Sequence, residues 1–141
     1  MARPQAPAGG HDLTRAYEDY LEAIYVLTQE GAADEGVRSV DVAERLGVSK
    51  ASVNKALAGL KEGGYVDQRP YGRVTLTEDG NAYAAIVWRA HRMLRTFLER
   101  DLGVEPSVAD AEACLMEHVL SPDTLERWTS YLEGQGIAIA D

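Results

Sequence analysis

The apolar positions at the start of the chain recur with a helical period. Leu13, Tyr17, Leu21, Ile24 and Leu27 are spaced by three and four residues, which brings them to one face of an α-helix. Gly31 and the Ala-Ala-Asp-Glu-Gly run that follows it end this helix. Ser39 is placed to cap a short helix through Leu46, Gly47 breaks it, and Ser49 caps a second one to about Glu62, where Gly63-Gly64 stop it. Tyr65-Val66-Asp67-Gln68-Arg69 and Arg73-Val74-Thr75-Leu76 flank Pro70-Tyr71-Gly72, a pattern that predicts a small hairpin. Thr77, with Glu78 and Asp79 behind it, starts a long helix whose apolar stripe is Tyr83, Ile86, Val87, Ala90, Leu94 and Phe97. Gly103 and Pro106 separate it from a helix near Val108 to Leu120. Ser121-Pro122 then joins an N-cap to a proline at the first position of a last helix, which shows Leu125, Trp128 and Leu132 and closes at Gly134.

The pair of helices from Ser39 to Glu62 has helix-turn-helix spacing. Ala43 is small where the helices must cross closely, and Gly47 takes the left-handed turn at least cost. Val53 pins the second helix on the first, with Val42, Leu46, Val48, Leu57 and Leu60 completing a small core. A hairpin directly after such a pair makes a winged helix-turn-helix. The second helix then presents Ser49, Lys50, Ala51, Ser52, Asn54 and Lys55 outward, and its free N–H groups suit a phosphate. Arg69, Tyr71 and Arg73 fall where the wing tip would meet a nucleic-acid backbone. The expected fold is mainly α: a flexible leader over 1–12, a winged helix-turn-helix over 13–76, and a helical metal-binding and dimerisation region over 77–141.

Charge supports that division. The chain carries a net −9, which alone argues against a polyanion as partner. Yet Gly36 to Thr75 holds seven Lys/Arg against four acids, a net +3 that leaves −12 on the remainder. A basic reader joined to an acidic module that collects cations has this pattern, and on charge alone so does chance clustering. One cysteine excludes an internal disulfide framework and suits a reducing, cytoplasmic setting. No stretch approaches the ~20 apolar residues of a membrane span.

The acidic part contains Glu112-Ala-Cys-Leu-Met-Glu-His118. Cys114, Glu117 and His118 stand at i, i+3 and i+4, on one helix face. Thiolate, carboxylate and imidazole together are a transition-metal ligand set. Asp19 and Glu22 are likewise three apart on the first helix, and His91 lies among apolar neighbours in the long helix. Each has an ordinary explanation as a buried thiol, a solvated carboxylate pair or a packed histidine. On the residues alone, packing and metal binding both stand.

Tyr17-Glu-Asp-Tyr-Leu-Glu-Ala-Ile-Tyr25, the reader from Val40 to Tyr65, and Glu112 to Ser121 resemble the DtxR/MntR family of iron- and manganese-dependent repressors, over about residues 13 to 134. The resemblance implies a homodimer that binds double-stranded operator DNA once loaded with Mn²⁺ or Fe²⁺ (with Zn²⁺ and Co²⁺ as in vitro substitutes) and represses metal-homeostasis genes. It implies no enzymatic activity, no small-molecule substrate and no membrane. Carried over by position, the metal ligands are Asp19, Glu22, His91, Cys114, Glu117 and His118. The set is mixed. Asp19 and Glu22 resemble the manganese-sensing branch, which has a carboxylate at position 114, while Cys114 resembles the iron-sensing branch, which has methionine at position 19. Where the iron branch completes an ancillary site with His91, this chain has Arg95 and Asp110. Longer members add an SH3-like domain, so the chain resembles the short two-domain type.

Two other readings compete. A metal-independent winged-helix regulator of the MarR type explains the reader but not the ligand cluster. A zinc hydrolase lacks His-Glu-x-x-His and any nucleophile–base motif. Because the ligands divide between the first helix and the later helical part, metal is expected to fix the angle between reader and dimerisation region.

Overall fold

A computed structural model of the chain describes residues 13–32 and 35–137. The leader expected over 1–12, and Ala33 and Asp34 of the acidic run, lie outside the described residues. The chain forms two compact units, divided after Ala85.

In the first unit, α1 (Arg15–Leu27) is capped by Thr14, whose Oγ1 accepts from the Tyr17 N–H at 3.3 Å. Its buried face centres on Leu21 and Ile24 and takes in Tyr20, Ala23 and Val26, while Leu13, Tyr17 and Leu27 of the expected stripe are only half-buried. A wide turn over Thr28–Ala32 follows, with Gly31 at φ 127°. Then come β1 (Val37–Arg38), α2 (Ser39–Leu46), α3 (Lys50–Glu62), β2 (Val66–Arg69) and β3 (Arg73–Leu76). α1 packs on α2 and α3, and Val42, Val53, Leu57 and Leu60 are buried among them. Gly47 adopts the expected left-handed conformation (φ 66°, ψ 36°), and the amides of Gly47 and Val48 close the end of α2 by donating to Glu44 and Ala43.

Three expectations are corrected. The wing is a three-stranded antiparallel sheet ordered β1-β3-β2, not a lone hairpin, because Val37 and Arg38 pair with Val74 and Arg73. Two residues are too short to show the alternation that marks a strand, and only their partner reveals them. Ser39 is the first helical residue of α2, not its cap; Arg38 precedes it, extended, and its guanidinium grips Asp41 at 2.9 Å. Val48 is 36% exposed and stands outside the small core.

Thr77 joins the wing to α4 (Glu78–Arg100). Its Oγ1 accepts from the Gly80 N–H at 3.0 Å and donates to the Gly64 carbonyl at 2.7 Å, while its own N–H donates to the Tyr65 carbonyl. Gly80 is required by this crossing, since a Cβ there would sit 1.9 Å from the Tyr65 oxygen. Tyr83, one turn on, donates its hydroxyl to the buried Glu18 carboxylate at 2.5 Å. Burial and that bond to Glu18 push the Tyr83 pKa well above the usual tyrosine value.

The second unit begins at Ile86 and contains the rest of α4, α5 (Pro106–Glu117) and α6 (Pro122–Gly134). Met93, Leu94, Ala109, Ala113, Leu125 and Leu132 form the middle of its core, and the Phe97 and Trp128 rings meet edge-to-face at 5.0 Å. Pro106 opens α5 where it had been expected only to separate two helices. It occupies the first helical position, where its missing N–H costs nothing, and the Glu105 carboxylate caps by accepting from the Val108 N–H at 3.3 Å. The helix ends at Glu117 with His118 as its C-cap, short of the Leu120 expected. Ser121 and Pro122 open α6 as expected.

Gly80→Ala tests the tightest crossing. Glycine to alanine inside a helix ordinarily stabilises by about 1 kcal/mol. Here the new methyl meets a backbone carbonyl, so the exchange should destabilise by about 1–3 kcal/mol. Thermal unfolding followed by circular dichroism reads the sign, and a raised Tm would contradict this account of the crossing.

Candidate metal centre and nucleic-acid interface

The reading helix is set by a local cap. Ser49 Oγ accepts from the Ser52 N–H at 3.1 Å and donates to the Ser52 hydroxyl at 2.9 Å. Ser49, Lys50, Ala51, Ser52, Asn54 and Lys55 are all exposed, as a surface that reads DNA requires, while Val53, Ala56 and Leu57 face inward. At the wing tip Tyr71 is 98% exposed and held at φ 64°, a costly conformation for a bulky residue. Arg69 is exposed and its Nε–H donates to the Thr75 hydroxyl at 3.3 Å. Arg73 is placed differently from the tip position expected for it. It is half-buried, pairs with Arg38 and Arg69 across the sheet, and its Nη1 donates to the Gly36 carbonyl at 3.1 Å. Its guanidinium ties the wing to the segment before β1.

Of the candidate ligands, Asp19 and Glu22 belong to the first unit. They stand three apart on α1, both half-buried. The second unit brings His91, Cys114, Glu117 and His118 together. His91 of α4 is 5% exposed, and its Nδ1 lies 3.3 Å from Glu117 Oε1. His118, which caps the C-terminus of α5, places Nε2 3.7 Å from the same oxygen. The half-buried Cys114 is a further neighbour, one of the groups that hold the Glu117 pKa down.

Glu117 is the centre of this group. It is 2% exposed, and its Oε2 is buried with no hydrogen-bond partner among the described residues. Burial raises its pKa, and the contacts with His91, His118 and Cys114 only partly oppose that shift. A buried carboxylate with one empty oxygen is expensive in an apolar setting, and a bound cation reverses the expense. Thiol, carboxylate and two imidazoles are moreover the donor types that transition metals take. The residues present therefore fit a metal ion.

Two neighbours escaped the sequence reading as parts of the site. Asp110 Oδ1 lies 2.9 Å from His91 Nε2, and the Trp88 ring stacks on the His91 ring at 5.4 Å and 8°. Asp110 had a visible signal, since 110, 114 and 117 share a helix face at i, i+4 and i+7. Trp88 had none beyond being three residues from His91.

Comparison with known proteins places this arrangement. Residues 12–74 match the N-terminal DNA-binding domain of the iron-dependent repressors, and residues 77–134 match their metal-binding and dimerisation domain. The chain belongs to the iron-dependent repressor family. Among its relatives, an HTH-type transcriptional regulator of Methanocaldococcus jannaschii is 33% identical over 121 residues, covering 86% of this chain and 95% of that protein. The transcriptional regulator MntR of Salmonella typhimurium is 37% identical over 120 residues, covering 84% of this chain and 73% of MntR. A solved manganese-dependent transcriptional repressor, in complex with manganese, matches with a TM-score of 0.71 and 34% identity over 83% of this chain. The chain spans about half of that repressor's length, 52%. The iron-dependent repressor family consists of transcriptional regulators, and its two domains account for the mainly helical fold and the wing. No helix among the described residues is long and apolar enough to cross a membrane.

The reading surface makes separable demands on Lys50, Lys55 and Arg73. Lys50→Ala and Lys55→Ala should leave Tm unchanged and weaken DNA binding, each lowering the salt slope by about one unit if it meets phosphate. Arg73→Ala should lower stability as well, by about 1 kcal/mol for the lost bond to Gly36. Fluorescence anisotropy against salt, paired with thermal melts, distinguishes the two classes. Identical behaviour of all three variants would contradict the division.

Proposed function

We propose that the chain is a metal-activated transcriptional repressor that binds operator DNA as a cytoplasmic homodimer and has no catalytic role. The observation that carries this reading is the Glu117 carboxylate, buried against two imidazoles and a thiol with Oε2 lacking a hydrogen-bond partner among the described residues. The ligand set is Asp19, Glu22, His91, Cys114, Glu117 and His118, and the division of labour falls near Thr77, with DNA read before it and metal and partner held after it. When bound, the ion supplies a centre of positive charge that the acidic ligands share. Mn²⁺ and Fe²⁺ are the ions of choice, because three carboxylates and two imidazoles suit both. The thiolate of Cys114 leans the site toward Fe²⁺ and, in vitro, toward Zn²⁺ and Co²⁺.

On this reading metal and DNA binding are coupled within the chain, and such a coupling is reciprocal. Whatever factor metal adds to DNA affinity, DNA adds to metal affinity. The reading surface is the exposed face of α3 with Arg69, Tyr71 and Arg73 of the wing.

Apo protein titrated with Mn²⁺, Fe²⁺ or Zn²⁺, against a DNA fragment selected from a random pool, tests this directly. Metal should raise DNA affinity by about 5- to 150-fold, the usual range of such couplings. Asp19→Ala and His118→Ala should abolish the increase while keeping the helical circular dichroism spectrum. Equal affinity with and without metal would overturn the reading. A second expectation concerns selectivity. Cys114→Glu replaces the soft donor by a hard one and should raise the ratio of Mn²⁺ to Zn²⁺ affinity by roughly tenfold, a difference of about 1.4 kcal/mol. Chelator competition with each ion measures the ratio, and an unchanged value would remove Cys114 from the ligand set.

A further inference from the structure

The His91 ring is gripped from two sides by carboxylates of α5. Asp110 Oδ1 is 2.9 Å from Nε2, and Glu117 Oε1 is 3.3 Å from Nδ1. The ring is 5% exposed and lies nearly parallel to Trp88, so its plane is set by packing before any ligand arrives. The two carboxylates differ in kind. Glu117 is buried and has an oxygen to spare, whereas the Asp110 side chain is 58% exposed. Its Oδ1 also lies 3.8 Å from Arg95 Nη1, and Arg95 in turn reaches Glu99 at 3.6 Å.

A solvated carboxylate accepts hydrogen bonds and does not donate them. At 2.9 Å from Asp110, Nε2 must therefore be the nitrogen that carries hydrogen. When a cation sits at Glu117, Nδ1, which faces that carboxylate at 3.3 Å, is the nitrogen that gives up its hydrogen and supplies the lone pair, since Nε2 keeps its hydrogen on Asp110. We infer that Asp110 is a positioning residue, which keeps the hydrogen on His91 Nε2 and so directs Nδ1 to the metal. Arg95 completes the arrangement as the chain's own cation beside Asp110, so that this carboxylate serves the ring instead of binding an ion itself. Such outer partners of a ligating histidine raise its basicity and fix its orientation, and their loss typically costs about 10–100-fold in metal affinity. The inference rests on the metal-binding reading above and adds residues that the reading does not contain.

The test uses the full chain with two readouts. Chelator competition gives the Mn²⁺ affinity of wild type, Asp110→Ala and His91→Ala. Long-range ¹H–¹⁵N NMR of the diamagnetic Zn²⁺-loaded wild type shows which His91 nitrogen holds metal and which holds hydrogen. Asp110→Ala should bind Mn²⁺ about 10–100-fold more weakly with its apo Tm unchanged, and the spectrum should show Nδ1 on the metal and a hydrogen on Nε2. Wild-type affinity in Asp110→Ala beside a weakened His91→Ala would overturn the inference and leave the ligand reading standing. Metal on Nε2 would overturn it whatever the affinities. If neither variant weakens binding, His91 is no ligand and both readings of it fall.

Discussion

Burying the Glu117 carboxylate takes it out of the water that would otherwise stabilise its charge, and its surroundings replace that water on one oxygen only. Oε1 meets both imidazoles, while Oε2 is enclosed with no hydrogen-bond partner among the described residues. Left so, the group is pushed toward its neutral form, the direction in which its pKa is displaced. A hydrophobic residue would be better accommodated at this position if stability were the only requirement. On the proposed reading, the carboxylate contributes a deep, poorly hydrated oxygen ligand whose burial cost a divalent ion would remove. Metal affinity and folding would then depend on the same contact.

The helix that carries Glu117 is built for this. Ala109, Ala113 and Glu117 recur every four residues, and all three are buried. Two alanines let α5 lie close in the core, and the glutamate takes the third place in the same row. The adjoining row at 110, 114 and 118 supplies the aspartate beside His91, the thiol and the second imidazole. One helix thus presents a packing stripe and a ligand stripe side by side. His91 reaches them from α4, held flat by Trp88. Glu105 and Pro106 fix where α5 starts and hence which residues fall in each row.

What was legible in the sequence was mainly what is local. Gly47, Ser49, Thr77 and Ser121-Pro122 mark their turns and caps because the bonds that hold them are made within a few residues. The ligand types at 114, 117 and 118 were legible for the same reason. The rest depends on partners far along the chain. β1 exists only because β3 pairs with it, and Arg73 turns to the Gly36 carbonyl 37 residues away. The buried Tyr83–Glu18 bond joins residues 65 apart, with no pattern to announce it. Val48 misled because a branched apolar residue after a turn glycine suggests the core, whereas the chain there is already leaving it. Pro106 misled because proline ends one helix and begins another with equal ease.

The uneven charge of the chain follows from two incompatible tasks. Reading DNA needs cations on the surface, and Lys50, Lys55 and Arg69, proposed to serve in it, are exposed. Holding a divalent ion needs anions gathered in a poorly hydrated place, which repel one another until the ion arrives. If both sets were interleaved, the lysines would neutralise the carboxylates and weaken each function. Separating them leaves the basic stretch from Gly36 to Thr75 within a chain of net charge −9. Arg95, a cation beside the Asp110 row of α5, lies against Asp110 and Glu99. There it engages carboxylates outside the proposed ligand set and would leave Glu117 to a metal ion.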